Sequence, residues 1–411
     1  MGVRAIETLQ VIFKIAERCN LNCPYCYYFS GADSKIDLRP PVIPRDSATA
    51  TVDFLVQACS EIDVKNVQIV FHGGEPTLVK PRVFDELCVI LRDKLSGVTK
   101  LNLSIQTNGV HLSNDWMDQL KKHNVSVGVS LDGPAVYNDP LRPDHRGRGS
   151  HDRIVNTIAR LTAESDANTI RPIGLVSVLN KDFDYSLVYQ HFVNDLNVKN
   201  LNFLLPDCNQ DAGADVIADV PKYGKVLCDV FDLWLMNGQD RIYVREIDRV
   251  LTHFNVNVHY RQLPDDCIAN QIIVVHSDGH LDVDDTFMPA FEWFTRQPTA
   301  DVRSTTLKNW LDQPMFEQVK AEQKRLPTDC ADCPWRGICR GGDIENRFSR
   351  RNGCDNRSVY CAALFQFYEH VSATLVEGDY HRPLIQEMVS KSLKAFLKEP
   401  DDSLAVGGEV A

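Results

Sequence analysis

The feature that most constrains this chain is a loop that carries three cysteines within eight residues. Cys19, Cys23 and Cys26 follow the apolar run of residues 9–15 in the order Cys-x3-Cys-x2-Cys. Thiolates are the usual ligands of a four-iron, four-sulfur cluster, so three thiols on one tight loop can hold three of its irons. The fourth iron is then open to a ligand from outside the chain.

Structural zinc is the alternative use of these thiols. A closed zinc site takes four ligands, typically one Cys-x2-4-Cys pair joined to a second pair. The loop lacks a second pair, so we favour the cluster.

Composition narrows the class of protein. A chain of 411 residues that is 44% hydrophobic can bury a large core and form more than one packed unit. A net charge of -12 opposes attraction to phosphate backbones, so we expect no nucleic-acid partner. Without an apolar span or a signal-peptide pattern, we expect a cytoplasmic protein with no membrane partner. Thirteen cysteines are many for a reducing compartment, so the grouped ones are expected to bind metal.

Short β-rich runs alternate with amphipathic segments through the first half of the chain. Strands are predicted over residues 9–15, 67–71, 101–106, 126–130, 172–179 and 201–205. Helices are predicted over residues 47–60, 81–95, 114–122, 151–163 and 186–194, and again over 222–235 and 246–254. Such alternation predicts an α/β fold with a parallel sheet, and six units suit an open, partial (β/α)6 barrel.

Loops at the carboxyl ends of parallel strands carry the functional residues of such barrels. The second strand is followed by Gly73, Gly74, Glu75 and Pro76, where paired glycines permit close backbone approach to a ligand. The third and fourth strands end in Gln-Thr-Asn-Gly at 106–109 and Ser-Leu-Asp-Gly-Pro at 130–134. Plain turn chemistry also accounts for each of these segments taken alone.

One carboxylate follows the sixth strand. Asp207 is predicted to point into the mouth of the barrel, where it could bind a substrate or take a proton. A solvated loop residue is the alternative interpretation.

A second group of cysteines lies near the end of the chain. Cys330, Cys333 and Cys339 have the spacing Cys-x2-Cys-x5-Cys, and Cys361 follows. Four thiolates can close a metal site completely, and spacing alone does not exclude zinc.

In combination these motifs resemble those of radical S-adenosylmethionine (SAM) enzymes with a SPASM-type C-terminal extension. The resemblance implies that SAM fills the open iron of a [4Fe-4S] cluster, which cleaves it to a 5'-deoxyadenosyl radical. It also implies cofactor contacts at Tyr25, Gly73, Gly74, Glu75, Pro76, Ser130, Arg142 and Leu179. Arg142 has rivals in Arg146, Arg148 and Arg153. Gln106 or Asn108 would face the substrate.

The SPASM resemblance is partial. Cys330, Cys333, Cys339 and Cys361 match the ligands of an outer auxiliary [4Fe-4S] cluster, whereas Asp284 and Asp343 stand where two inner-cluster cysteines are expected. Carboxylates are poor ligands for a soft cluster. We therefore expect one auxiliary cluster and no inner one. A cluster that uses these aspartates or Cys354, beside the matching Cys267, is the alternative.

Three segments resemble the branch of peptide maturases that forms three-residue cyclophanes. They are Leu-Leu-Pro-Asp at 204–207, Asp-Asp-Thr at 284–286, and the run Cys-x-Gly-Gly at 339–342 with Asn-Arg-Phe at 346–348. The resemblance implies a carbon-carbon crosslink in a precursor peptide after hydrogen abstraction from a β-carbon, with Asp207, Asp284 or Asp343 taking a proton and an external one-electron reductant. A sulfatase-maturing, formylglycine-generating enzyme is the alternative, as is a non-catalytic iron-sulfur or zinc protein that binds a peptide.

The predicted layout has five parts. They are a radical SAM partial barrel (1–215), a helical bridge (216–260), a SPASM-like auxiliary-cluster domain (261–375), a C-terminal helix (376–398) and a disordered tail (399–411).

Overall fold

The computed structural model describes residues 6–30, 36–237, 242–254, 270–288 and 291–397. Its strands are β1 (Ile6–Ala16), β2 (Val64–Gly73), β3 (Lys100–Thr107), β4 (Ser126–Ser130), β5 (Gly174–Val178), β6 (Asn200–Leu204), β7 (Tyr243–Val244), β8 (Asn270–Val275), β9 (His280–Asp282) and β10 (Ala300–Asp301). Cys267 and the predicted disordered tail lie outside the described residues.

The helices follow the strands in chain order. They are α1 (Tyr27–Ser30), α2 (Arg45–Glu61), α3 (Pro81–Leu95), α4 (Asn114–Lys122), α5 (Ala135–Leu141), α6 (His151–Asp166), α7 (Tyr185–Gln190), α8 (Ala214–Asp219), α9 (Lys222–Met236), α10 (Arg245–Thr252), α11 (Phe291–Phe294), α12 (Leu307–Leu311), α13 (Pro314–Lys324), α14 (Arg336–Cys339), α15 (Ile344–Arg347), α16 (Cys361–Glu377) and α17 (Arg382–Leu397). A π-helical turn, His191–Asp195, continues α7.

The ten strands of the described residues belong to one sheet, in the order β10-β9-β8-β1-β2-β3-β4-β5-β6-β7. Strands β1 to β6 are parallel neighbours, which confirms the predicted α/β partial barrel. The sequence missed the continuation on the far side, where β8 pairs in parallel with β1 and β9 returns antiparallel. The domain boundaries stay a prediction.

Alternation along β1 explains why this segment is a central strand. Leu9, Val11 and Phe13 are fully buried and belong to the core cluster that also contains helix residues. Gln10 points to the other face and is only partly buried. Successive side chains of a strand point to opposite faces, so the apolar set faces the helices, and Gln10 and Lys14 lie on the inner face. Lys14 differs from Gln10 because it is 0% exposed.

The last helix lies against the second cysteine group. A Cβ atom added at Gly337, in α14, would lie 2.2 Å from the backbone oxygen of Val389 in α17. The absence of a side chain therefore permits this close packing. His253 Nδ1 lies 3.1 Å from Ser392 Oγ, which also joins α17 to the end of α10. In the part of the chain that the structure describes, no helix has the length and apolar character needed to span a membrane.

Candidate active site

The cysteine loop lies between β1 and α1 and is anchored from two other strand ends. Asn108, after β3, donates from Nδ2 to Asn20 Oδ1 at 2.7 Å and lies 3.6 Å from the sulfur of Cys19. The backbone N–H of Leu21 donates to the same sulfur at 3.4 Å. Burial raises the pKa of Cys19 to about 12 and that of Cys23 to about 11. These N–H donors aimed at sulfur fit a bound thiolate, which a metal stabilises against this burial.

The two glycines after β2 bring that loop against the residues that precede Cys19. Gly73 has φ of 126°, and a Cβ atom there would lie 2.0 Å from the backbone oxygen of Ala16. A Cβ atom on Gly74 would lie 2.3 Å from the backbone oxygen of Arg18. Larger residues would therefore push the two loops apart.

Glu75 is fully buried and joins the loops after β2 and β3. Its Oε1 accepts from the backbone N–H of Thr77 at 2.9 Å and from the hydroxyls of Thr77 and Thr107 at 2.6 and 2.7 Å. Its Oε2 accepts from the backbone N–H of Asn108 at 2.7 Å. Burial raises the pKa of Glu75 although these donors oppose the rise. A carboxylate oxygen has two lone pairs, so Oε2 has room for one further donor. Pro76 begins the turn Pro76–Leu78 beside it.

Arg142 is distinguished from its rivals by burial. It is 7% exposed, whereas Arg146, Arg148 and Arg153 are exposed. Its Nε donates to Asp132 Oδ2 at 2.8 Å, and its guanidinium lies 5.6 Å from the ring centre of Tyr25.

Asp132, which the sequence analysis missed, gathers three loops. The hydroxyl of Tyr25 donates to Oδ2, and the backbone N–H of Val178 donates to Oδ1 at 3.0 Å. Because Tyr25 lies within the cysteine loop, Asp132 connects that loop to the ends of β4 and β5. Its place in the segment Ser-Leu-Asp-Gly-Pro was the available signal.

The remaining predicted site residues of the barrel lie either on neighbouring strands or in the core. Gln106 donates from Nε2 to Ser130 Oγ at 2.8 Å, so these two predicted residues meet on neighbouring strands. Leu179 is 1% exposed and lies in the main core, where its backbone N–H donates to Leu204 at 2.8 Å.

The second cysteine group lines one cavity of about 250 Å³. All four predicted ligands, Cys330, Cys333, Cys339 and Cys361, belong to its lining. Burial raises the pKa of Cys330 to about 11 and that of Cys339 to about 12. A cavity lined by four thiols fits the four-thiolate ligand set of an iron-sulfur cluster. Within the described ranges, no three His, Cys, Asp or Glu side chains are gathered closely enough to hold a single metal ion.

Cys354 is outside this cavity lining. Its backbone oxygen accepts from Nε and Nη2 of Arg347 at 3.0 and 2.8 Å. Arg347 is 1% exposed, so this residue of the Asn-Arg-Phe segment fastens the loop that contains Cys354.

The charges of the predicted carboxylates act on Glu345, a residue of α15 that the sequence analysis missed. Burial raises the pKa of Glu345 well above its ordinary value, and the charges of Asp343, Asp284 and Asp207 raise it further. Asp343 is half exposed and lies 3.6 Å from Arg249. We call Asp207, Asp284, Asp343 and Glu345 the carboxylate group. Like charges so placed favour sharing of protons.

Two members of this group have pKa values near neutrality. The atoms around the Asp207 carboxyl partly desolvate it and raise its pKa to about 6 although the residue is exposed, and the charge of Asp285 contributes further. Burial likewise raises the pKa of Asp284 to about 6, again with Asp285 as the second cause. Asp207 is exposed and Asp284 partly buried, so both remain accessible. A carboxylate with such a pKa can accept a proton near neutral pH.

A sequence model of the Radical SAM superfamily matches residues 13–184, which contain the cysteine loop and the loops after β2, β3 and β4. This part of the chain is therefore similar to the radical SAM superfamily. The radical SAM domain implies a [4Fe-4S] cluster and SAM, and SAM cleavage supplies a radical that removes hydrogen atoms. Cys19, Cys23 and Cys26 are the residues placed to hold that cluster.

Two curated relatives extend the similarity beyond the radical SAM domain. The serine-type anaerobic sulfatase-maturating enzyme of Bacteroides thetaiotaomicron is 24% identical over 385 residues, which cover 86% of this chain and 87% of the relative. The cysteine-type enzyme of Clostridium novyi is 25% identical over 380 residues, covering 89% and 95%.

Solved structures share the fold. Native anSMEcpe with bound AdoMet has a TM-score of 0.75 and 22% identity, and the match covers 90% of this chain and 98% of that one. Native anSMEcpe with AdoMet and the Cp18Cys peptide also has a TM-score of 0.75, with 21% identity. The common architecture therefore reaches through the C-terminal part.

Proposed function

We propose that this radical SAM enzyme is a peptide maturase that forms a carbon-carbon cyclophane crosslink in a ribosomally made precursor. The observation that carries the proposal is the carboxylate group, because Asp284 and Asp343 stand at the expected inner-cluster positions. A ring that has gained a new carbon bond regains aromaticity by losing a proton and an electron. Accessible carboxylates with pKa values near 6 can accept that proton.

The cofactor contacts are part of the proposal. SAM would lie between the cysteine loop and the strand ends, with its ammonium near the free lone pair of Glu75 Oε2 and its remaining contacts from Tyr25, Ser130 and Arg142. The support is geometric, since Glu75 and Asp132 tie the loops after β1, β2, β3 and β4 together. Gln106 and Asn108 would face the peptide from β3. Leu179 has the least support as a cofactor contact, because its side chain is part of the core.

We propose one auxiliary [4Fe-4S] cluster, held by Cys330, Cys333, Cys339 and Cys361. It would receive the electron that the crosslinked ring releases, while an external one-electron reductant supplies the electron that SAM cleavage needs. Anaerobically prepared enzyme should then contain about eight irons per chain, as expected for two cubane clusters. About twelve irons would support an inner cluster built with Cys267, Asp284 and Asp343.

Co-expression with a candidate precursor, followed by mass spectrometry, tests the reaction. A loss of two hydrogens localised to an aromatic-containing tripeptide is the expected product, with one 5'-deoxyadenosine formed per crosslink. Unmodified peptide beside ongoing 5'-deoxyadenosine formation would contradict the crosslinking proposal. The matched control is the same precursor with the aromatic residue replaced by leucine, which should stay uncrosslinked.

Formylglycine formation is the second candidate, favoured by the similarity to sulfatase-maturating enzymes over 86% or more of the chain. A serine converted to formylglycine also loses two hydrogens, so mass alone does not separate the candidates. An aldehyde-reactive aminooxy probe does, because formylglycine reacts with it and a cyclophane does not. Labelling of a sulfatase peptide by this probe would replace the first proposal with the second.

A further inference from the structure

Two histidine rings meet between α6 and the end of α7. Nε2 of His151, the first residue of α6, lies 3.1 Å from Nε2 of His191. The ring centres are 5.1 Å apart, farther than these two nitrogens, so each ring points its Nε2 toward the other. Both side chains are 12% exposed, which shields the two rings from most of the solvent but leaves them reachable. We call His151 and His191 the histidine pair.

The other ring nitrogen of each histidine faces a carboxylate. Nδ1 of His151 lies 3.1 Å from Asp152 Oδ1, and Nδ1 of His191 lies 3.1 Å from Asp195 Oδ2. A neutral imidazole carries one N–H, and an ionised carboxylate can only accept, so the nitrogen that faces the carboxylate holds the proton. Each Nδ1 therefore donates to its carboxylate, and each Nε2 presents a lone pair to the other ring.

Two lone pairs at this separation repel each other unless a cation lies between them. An extra proton would have to turn one ring into an imidazolium, but burial lowers the pKa of His191, although its hydrogen bond to Asp195 opposes that effect. A metal ion satisfies both lone pairs without an extra proton. Two nitrogens that each lie about 2.0–2.1 Å from zinc are about 3.3 Å apart at the tetrahedral angle, close to the 3.1 Å in this structure.

The backbone holds both histidines in place. The N–H groups of His151 and Ser150 donate to Asp139 Oδ1 at 2.8 and 2.9 Å, which fixes the first turn of α6. His191 begins the π-helical turn, in which the N–H of Leu196 donates to the His191 carbonyl at 3.0 Å. Such turns are rare and are frequently found at functional sites. The two Nε2 atoms are therefore placed by the fold itself.

We propose that His151 and His191 bind a divalent metal ion that prefers imidazole ligands, such as Zn²⁺, and that this ion joins α6 to the end of α7. Imidazole nitrogen suits zinc, and water completes the coordination that two protein ligands leave open. Asp152 and Asp195 orient the rings and offset the charge of the ion, as carboxylates behind metal-bound histidines generally do. This inference goes beyond the proposed function and does not depend on which reaction the enzyme performs.

Zinc binding to the reconstituted holoenzyme tests the inference. The protein carries no polyhistidine tag, and both cysteine groups are loaded with iron and sulfide before zinc is added. Anaerobic equilibrium dialysis at neutral pH should then add one zinc ion per chain. Zinc X-ray absorption should show nitrogen and oxygen ligands at about 2.0–2.1 Å. Zinc held by sulfur at about 2.3 Å, or no retained zinc, would overturn the inference.

Variants assign the bound zinc to the histidine pair. His151→Gln combined with His191→Gln should weaken zinc binding at least about a hundredfold, because both nitrogen ligands are lost. His280→Gln, which removes an exposed histidine beside Asp278, is the matched control and should bind zinc as the wild type does. Equal zinc affinity in the double variant and the wild type would overturn the inference.

Asp195→Asn keeps both nitrogen ligands and changes a carboxylate that is 56% exposed, so this variant should fold even if the double variant does not. Loss of the charge behind His191 should weaken zinc binding about tenfold. Unchanged zinc affinity in Asp195→Asn would contradict a metal held by His191.

Thermal unfolding gives a second readout. Zinc that binds the folded chain should raise the thermal midpoint of the wild type and of His280→Gln, but not that of the double variant. The stabilised region includes the segment of Arg142, because Ser150 donates from Oγ to the Arg142 backbone oxygen at 2.7 Å. A rise of equal size in the double variant would place the zinc elsewhere and refute the histidine site.

Discussion

The cysteine loop and the carboxylate group are two halves of one candidate site built in opposite ways. The loop's three predicted ligands lie within eight consecutive residues, whereas the carboxylate group takes its members from the end of β6, the segment after β9, and α15 with its N-cap residue. Burial keeps the thiols of Cys19 and Cys23 neutral until a metal binds, but in the carboxylate group like charges compete for protons. The loop is thus a local motif that awaits a cofactor, and the carboxylate group is a tertiary arrangement that already has its electrostatic character.

The largest loss of activity is expected from a substitution in the cysteine loop. Cys19→Ser should reduce 5'-deoxyadenosine formation at least about a hundredfold, because a missing ligand loosens the cluster on which SAM is cleaved. Chromatographic assay with SAM and dithionite measures this. Cys59→Ser is the matched control, since Cys59 lies in α2 and belongs to neither cysteine group, and it should leave the rate unchanged. Equal loss in both variants would assign the effect to folding.

The buried ion pair between Lys14 and Asp285, the residue after Asp284, should contribute strongly to stability. Lys14→Met leaves Asp285 buried without its counter-charge, so the free energy of unfolding should fall by about 3–5 kcal/mol. Denaturant unfolding measured by circular dichroism checks this. Lys65→Met removes an ion pair with Glu7 in which both side chains are about half exposed, and it should change nothing measurable. Similar stability of the two variants would mean that Asp285 is not ionised.

Loss of the Glu75 carboxylate, which connects the loops after β2 and β3, should have an intermediate effect on stability. Glu75→Gln replaces one acceptor oxygen with an NH2 donor that faces other donors, which costs about 1–3 kcal/mol of stability. SAM should also raise the thermal midpoint less than in the wild type, because an acceptor for its ammonium is lost. Glu86→Gln, on the exposed side of α3, is the control. An undiminished SAM-dependent shift in Glu75→Gln would remove Glu75 from the cofactor contacts.

The smallest expected effect concerns the buried trio that joins β1 to β8 and β9. His276 lies 3.0 Å from Glu17 and 2.9 Å from Asp282. Burial opposes protonation of His276, but hydrogen bonds to Asp282 and Glu17 outweigh it and raise its pKa above 6.5. Its contribution to stability is then complete below pH 6.5 and is lost as pH rises through the raised pKa.

Thermal unfolding of His276→Gln tests this sign. The wild type should exceed the variant by about 1.5–3 kcal/mol at pH 6, and the difference should shrink as pH rises. The exposed His280 provides the control, and His280→Gln should unfold with the wild-type pH dependence. A difference that grows with pH would contradict a charged His276.

Much of the barrel was accessible to sequence reasoning because its signals are local. The predicted helix over 114–122 matches α4, since Ser113 caps it by accepting from the backbone N–H of Trp116 at 3.2 Å. Strand β4 was also predicted at its observed bounds, because its alternation is short and clear. Strand β8 was missed because it pairs with β1, more than 250 residues away in the chain, and no local pattern marks that partner.

The chain's own order of residues was enough to determine the three-thiol loop, the alternating strands and helices, and the four outer cysteines, because each depends on spacing within a short segment. Only the tertiary structure decided that Lys14 compensates Asp285, that Arg142 is the buried arginine and that Glu345 joins the aspartates. Burial and charge act through space between segments far apart in the chain. Their effect on a side chain is determined when the sheet closes around it.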